Sequence, residues 1–231
     1  MYTSPLAAAA ARFGHHLKNE LALARAALQL AMQHCRDDPG VRYLQRALGA
    51  IDSAVRLADV TEVAQLPGAV QMKPVDLVHL SEGLLEVLSP RFEQTGVQAV
   101  WAGAPTGGPV RVSGDETLLA LALTNVLVNA IEATPPGGRV TVKVAGEGAT
   151  GSWAELTVQD SGPGFAPELL GRILREPVTT KGPGNTGWGL LIVREIVEGV
   201  HGGRVEVGNA PEGGAVCRIH LPRGQEQACA T

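Results

Sequence analysis

The chain is poor in aromatic residues: Trp, Tyr and Phe together make up 3% of its 231 residues. Leu, Val, Ile and Ala must therefore fill the core, and a hydrophobic fraction of 45% excludes a disordered chain. Cysteine is scarce as well. Cys35, Cys217 and Cys229 are odd in number and far apart, so they form neither a disulfide framework nor a zinc pattern, which suits a reducing, cytoplasmic setting. A strong excess of one charge is missing too. The net charge is −4 and the pI about 5.9, which argues against nucleic acid as a partner. No apolar run approaches the roughly 20 residues that span a bilayer. The N-terminus lacks the charge pattern of a signal peptide. A membrane segment is therefore not expected in this chain.

Helical periodicity is plentiful. Phe13, Leu17, Leu21, Ala24, Leu28, Ala31 and Cys35 recur in steps of three and four, the stripe of an amphipathic helix. Arg36-Asp37-Asp38-Pro39-Gly40 breaks it, because Pro and Gly continue a helix only at a cost. A second stripe, Leu44, Leu48, Ile51, Val55 and Ala58, runs on towards Leu66-Pro67-Gly68. Residues 1–69 thus read as an antiparallel helical hairpin. One hairpin has too little surface to bury both stripes. Pairing two hairpins into a dimeric four-helix bundle solves this, so a homodimer is expected; the alternative is a hairpin packed on its own second domain.

Beyond Pro67 the pattern changes. Val97–Trp101, Val110–Val112, Arg139–Val144, Trp153–Val158, Arg204–Val207 and Val216–Leu221 read as short strands. Leu77–Phe92, Glu116–Ala133 and Gly189–Val200 read as helices, with Gly- and Pro-rich runs between them. Residues 70–225 therefore read as an α/β sandwich domain followed by a short tail, 226–231. The stretch from Gly162 to Gly187 has no strong period, and a loop of that length in a compact domain is usually functional.

Four segments carry the chemistry. Gln159-Asp160-Ser161-Gly162-Pro163-Gly164-Phe165 sets a carboxylate at the end of an apolar strand, ahead of two glycines that let a ligand reach the backbone. By itself that pattern is also an ordinary turn. Asn125 and Asn129 are four apart and share a helix face. Their neutral amide oxygens suit a hard divalent cation that keeps most of its water. Gly187-Trp188-Gly189-Leu190 opens a helix whose free N–H groups favour phosphate. Upstream lies Phe13-Gly14-His15-His16-Leu17-Lys18-Asn19.

These segments, in this order, resemble the cytoplasmic core of a sensor histidine kinase: a dimerisation and phosphotransfer hairpin followed by a Bergerat-fold ATP-binding domain. The resemblance covers nearly the whole chain. It implies ATP and Mg²⁺ as cofactors, Asn129 as the magnesium residue and Asn125 as the polar position upstream of it. It implies Asp160 as reader of the adenine amine, with Gly162 and Gly164 beside it. Gly187, Gly189 and Leu190 would hold the phosphates. Thr179-Thr180-Lys181 resembles the lid of the nitrogen-regulatory class, where Lys181 is either a phosphate contact or a solvated lysine. Glu132 stands where many relatives carry lysine, and either tunes the metal or faces solvent. Trp188 replaces a leucine of the family and either packs on the lid or stacks near the nucleotide.

The family pattern at the acceptor is His, acidic, apolar, basic, Asn or Thr, Pro. Aligning Leu17, Lys18 and Asn19 makes His15 the phospho-acceptor. Neutral imidazole is a competent nucleophile near pH 7. His16 replaces the usual acidic base and can act as a weaker one. Glu20 replaces the proline. Asn19, on the face of His15, matches the position that orients water in the phosphatase reaction. The partner implied is a response-regulator receiver domain, whose aspartate takes the phosphoryl group. The alternative is a dimeric histidine phosphotransferase with a degenerate ATP-binding domain. Gyrase-type ATPases differ by a transducer domain after the nucleotide site, and anti-sigma serine kinases lack a long N-terminal hairpin.

Overall fold

The computed structural model describes residues 70–103, 108–146, 152–178 and 187–223, together with scattered residues between 24 and 51. The chain divides into two compact units, Met1–Val70 with Arg172–Ile192, and Gln71–Gly171 with Val193–Thr231. In the first unit, Ala24, Ala26 to Gln29 and Ala31 are helical, as are Gly40, Val41, Leu44, Ala47 and Ile51. Gly40, expected in the break, already belongs to the second helical stretch. The remaining hairpin residues lie outside the described ones.

Within 70–223 the elements are β1 (Lys73–Asp76), α1 (Leu77–Val87), α2 (Ser89–Thr95), β2 (Gln98–Trp101), β3 (Arg111–Gly114), α3 (Glu116–Ala133), β4 (Arg139–Gly146), β5 (Trp153–Asp160), α4 (Pro167–Leu170), α5 (Gly189–Arg194), a π-helix (Glu195–Val200), β6 (Arg204–Asn209) and β7 (Ala215–Pro222). β2, β4, β5, β7 and β6 form a mixed sheet in that order, antiparallel except for the parallel β2–β4 pair. β1 and β3 form a separate antiparallel pair.

Strand alternation decides where the core lies. Along β5, Ala154, Leu156, Val158 and Asp160 are buried while their neighbours are not, the period-two pattern of a strand with one face covered. α3 supplies much of that cover. Leu118, Leu119, Ala122, Leu123, Val126, Leu127, Ala130 and Ile131 are its buried residues. Mean hydropathy along it is 1.3, so by length and composition alone α3 would pass for a membrane-crossing helix; here it is the core helix of an α/β layer. Its N-terminus is capped by Asp115, whose Oδ1 accepts from the backbone N–H of Thr117 and Leu118 at 3.1 and 3.2 Å. Such a cap is worth about 1 kcal/mol.

Three readings from sequence needed correction. The helix expected over Leu77–Phe92 is two helices, because Pro90 has no N–H to give and its ring crowds the preceding turn. β1 was not expected: Lys73-Pro74-Val75-Asp76 has no alternation, and only its ladder with β3 makes it a strand. The helix expected over Gly189–Val200 changes to π-helical hydrogen bonding at Glu195. The long segment after Gly162 contains a short helix, Pro167–Leu170, which Pro167 starts.

Candidate nucleotide-binding site

Asp160 is the last residue of β5 and lies on its covered face, 6% exposed. Its Oδ1 accepts from Gly162 N–H at 2.8 Å and from Ala215 N–H, on β7, at 3.1 Å. Both donors are main chain, so the carboxylate is held in one orientation. Among the described residues no donor meets Oδ2. Oδ2 is not sealed in the core, so it is left as an acceptor that a ligand can reach, and an exocyclic amine is a suitable donor for it. The expected result of Asp160→Asn follows. The amide oxygen can keep the two backbone bonds, so the fold survives, but an NH₂ replaces Oδ2. ATP affinity should fall about tenfold or more, the scale of one charged hydrogen bond. Calorimetry showing unchanged ATP binding would remove Asp160 from the site.

The glycines around Asp160 have a reason of their own. A Cβ on Gly162 would stand 2.5 Å from the carbonyl oxygen of Ala133, at the end of α3. Gly164 has φ +75°, where a side chain is strained, and a Cβ there would stand 2.7 Å from Asn209 Oδ1. Asn209 bonds Phe165 twice, accepting from its N–H at 2.7 Å and donating to its carbonyl at 2.8 Å. The loop after Asp160 is thus pressed onto α3 and β6. Sequence reasoning assigned Gly162 and Gly164 to base contact; in the structure, packing against the protein already requires both. Gly214 belongs with them and was not singled out: a Cβ there would stand 1.9 Å from the carbonyl oxygen of Asp160.

The same contact brings the end of α3 to Asp160. Asn129 lies about one turn before Ala133, half-buried beside Asn125 on the stripe that the core leaves uncovered. Asn125 Nδ2 donates to the carbonyl of Leu121 at 2.8 Å, so its oxygen is left as the outward group. Glu132, one turn beyond Asn129, forms an ion pair with Arg91 of α2 at 2.5 Å. Asp160, Gly162 and Gly214 also border a polar cavity of about 210 Å³, which Arg139, Thr141, Gln159, Ser161, Glu212 and Gly213 complete.

In the other unit, Gly187 has φ +76°, and a Cβ there would stand 2.5 Å from the backbone of Val178. Trp188 gives its carbonyl to Ile192 N–H at 3.0 Å, so it is the residue from which α5 starts, with Gly189 and Leu190 as its first turn. His15, His16, Asn19, Thr180 and Lys181 lie outside the described residues.

A helix over a mixed sheet, with a buried carboxylate at a strand end and an amide-bearing helix packed on the following loop, fits an ATPase domain of the Bergerat type, and comparison with known proteins establishes that class. Residues 114–225 match the family of histidine kinase-, DNA gyrase B- and HSP90-like ATPases. The chain is 34% identical over 181 residues to the adaptive-response sensory kinase SasA of a Synechococcus species, covering 66% of this chain and 46% of that protein. It is 31% identical to the solved structure of the mycobacterial sensor histidine kinase MprB, with a TM-score of 0.55, covering 66% of this chain and 97% of that one. It also shares the fold of histidine kinase ThkA, solved in complex with the response regulator protein TrrA, at 22% identity and TM-score 0.61, over 94% of this chain and 61% of that one. The chain belongs to the sensor histidine kinases, and residues 114–225 lie in its ATP-binding domain. It spans about half the length of the curated relatives it matches.

Proposed function

We propose that this chain is an ATP-dependent protein-histidine kinase that phosphorylates His15 and passes the phosphoryl group to an aspartate on a response-regulator receiver domain. The observation that carries this reading is Asp160, buried, fixed by two main-chain donors, and left with one carboxylate oxygen for a ligand amine. Such an acceptor favours adenine over guanine, which presents a carbonyl at the matching position. Asn129 would hold Mg²⁺, and Asn125 fits beside it: its Nδ2 is bonded to the helix and its oxygen is turned outward, the neutral donor that a hydrated Mg²⁺ takes. When bound, the ion supplies charge neutralisation along the triphosphate. Gly187, Gly189 and Leu190 would bind phosphate oxygens through main-chain N–H groups, with Thr180 and Lys181 of the lid beside them. His16 would take the proton of His15, and Asn19 would orient the hydrolytic water of the reverse reaction.

The domain roles follow as part of the same reading: 1–69 dimerises and carries the acceptor, 70–225 is the catalytic ATP-binding domain, and the setting is cytoplasmic. In the single chain, Ala24 and Ala31 of the first stripe are exposed and Leu28 is half-buried, which supports a four-helix bundle made with a second copy. Light scattering is expected to give a dimer, and a monomer at micromolar concentration would remove the bundle. Incubation with γ-labelled ATP tests the activity. Acid-labile, base-stable label is expected; no label under any Mg-ATP condition would overturn the kinase reading.

A further inference from the structure

We infer that His201 is a positioning residue for the nucleotide site, a neutral imidazole that pins the end of the π-helix to the start of α3. The inference rests on the reading of Asn125 and Asn129 as nucleotide-side residues.

His201 is buried, and its backbone N–H and both ring nitrogens are engaged. The carbonyl of Ile196 accepts twice from this one residue, from its backbone N–H at 3.2 Å and from ring Nδ1 at 2.7 Å. A carbonyl offers no proton, so Nδ1 must carry the hydrogen. That fixes the tautomer and makes Nε2 an acceptor. Nε2 takes the backbone N–H of Asp115 at 3.0 Å. Asp115 is the N-cap of α3, and its side chain is occupied elsewhere: Oδ1 caps Thr117 and Leu118, and Oδ2 accepts from Gln71 N–H at 2.9 Å. Without His201 the Asp115 N–H would be a buried donor with no partner among the described residues, at a residue 9% exposed.

The ring packs closely on the backbone that leads into α3. Gly114 precedes Asp115, and a Cβ there would stand 3.1 Å from His201 Cδ2 and 2.6 Å from Leu119 Cδ1. The π-helical hydrogen bonding, from residue i+5 to residue i, is what puts the His201 N–H on the Ile196 carbonyl. The rotation and rise of α3 are therefore set at its first residue by a side chain that comes from another helix end. Asn129 lies about four turns further along α3, so a small tilt at the cap is multiplied before it reaches the amide.

Charge at the pin is controlled as well. Burial pushes the His201 pKa down, opposed by the Ile196 carbonyl and by Asp115. The other charged groups on the packed elements are directed elsewhere. Glu195 lies against Gly199, Glu198 accepts from Val205 N–H and pairs with Arg194, Arg204 pairs with Glu206, and Arg111 and Glu116 are exposed. A proton on Nε2 would set a donor against the Asp115 N–H and open the pin.

Three variants separate positioning from mere packing. In His201→Gln the amide oxygen can replace Nε2 as acceptor for Asp115. In His201→Asn the NH₂ can replace Nδ1 as donor to Ile196 but nothing reaches Asp115. His201→Ala removes both. We expect ATP affinity, measured by calorimetry at pH 8, to fall about tenfold or more in His201→Asn and His201→Ala and to stay within about threefold of wild type in His201→Gln, the scale of one buried hydrogen bond. Lowering the pH from 8 to 5.5 should weaken ATP binding more in wild type than in His201→Gln; titration of ATP itself is common to both. The inference is overturned if the folded variants all bind ATP as wild type does. It is equally overturned if all three weaken binding only in step with their loss of thermal stability. Absence of ATP binding by wild type at pH 8 overturns the nucleotide reading itself, a result distinct from wild-type binding with unaltered variants.

Discussion

Asn129→Ala should abolish phosphoryl transfer from Mg-ATP while the fold survives. Asn129 is on the half-exposed stripe of α3, flanked by Ala130 and Ile131, which are buried. Trimming it leaves the core filled, and losing the contacts of one half-exposed side chain costs about 1 kcal/mol. The chemical effect is much larger. Transfer of a phosphoryl group depends on positioning and on charge stabilisation, and loss of one such group typically costs about a hundredfold to a thousandfold. Label incorporation below about a hundredth of wild type is therefore expected, with a cooperative circular dichroism melt retained. Asn129→Asp should be as inactive, because it adds a negative charge beside a triphosphate. Wild-type incorporation by either variant would take the metal role away from this residue.

His15→Gln should remove all acid-labile label, because the proposed reading makes His15 the acceptor and Gln offers no imidazole nitrogen. Adjacent helical residues project about 100° apart, so on the proposed reading only one of the two histidines faces the phosphoryl donor. His16→Gln should still be labelled, at an altered rate, since it changes the neighbouring base and not the nucleophile. His16→Glu supplies a carboxylate in place of a weaker base, and faster labelling is expected. Label on His15→Gln with none on His16→Gln would shift the register by one. If ATP labels neither wild type nor His16→Glu, but a phosphorylated receiver domain labels His15, the chain is the phosphotransferase of the alternative reading.

The sequence made much of this fold legible because periodicity survives folding. α3 was bounded at Glu116–Ala133 by its own apolar stripes, and the strands β2 and β4 to β7 were found within a residue or two at most ends. Asp160 could be placed at a strand end because Leu156 and Val158 set its phase. What was not legible depends on partners distant in sequence. Nothing near residue 160 says that Ala215 would supply the second hydrogen bond. Nothing in His201-Gly202-Gly203 says that the imidazole would reach Asp115. Gly162 was read as room for a base, but its backbone contact with Ala133 exists only once α3 and β5 are side by side. Pro90 was the one local signal passed over, and it marks the break between α1 and α2.

Gly162 and Gly214 leave no space for a single carbon, one against Ala133 and the other against Asp160. Glycine has no smaller substitute, so every missense change in either codon must add atoms there. Loss of the proposed nucleotide site is therefore open to any amino-acid replacement at these two codons, while the carboxylate of Asp160 stays in place. A copy of this gene that has ceased to bind ATP can keep its diagnostic aspartate intact, and the glycines are the positions at which a degenerate paralogue would first be told from an active one.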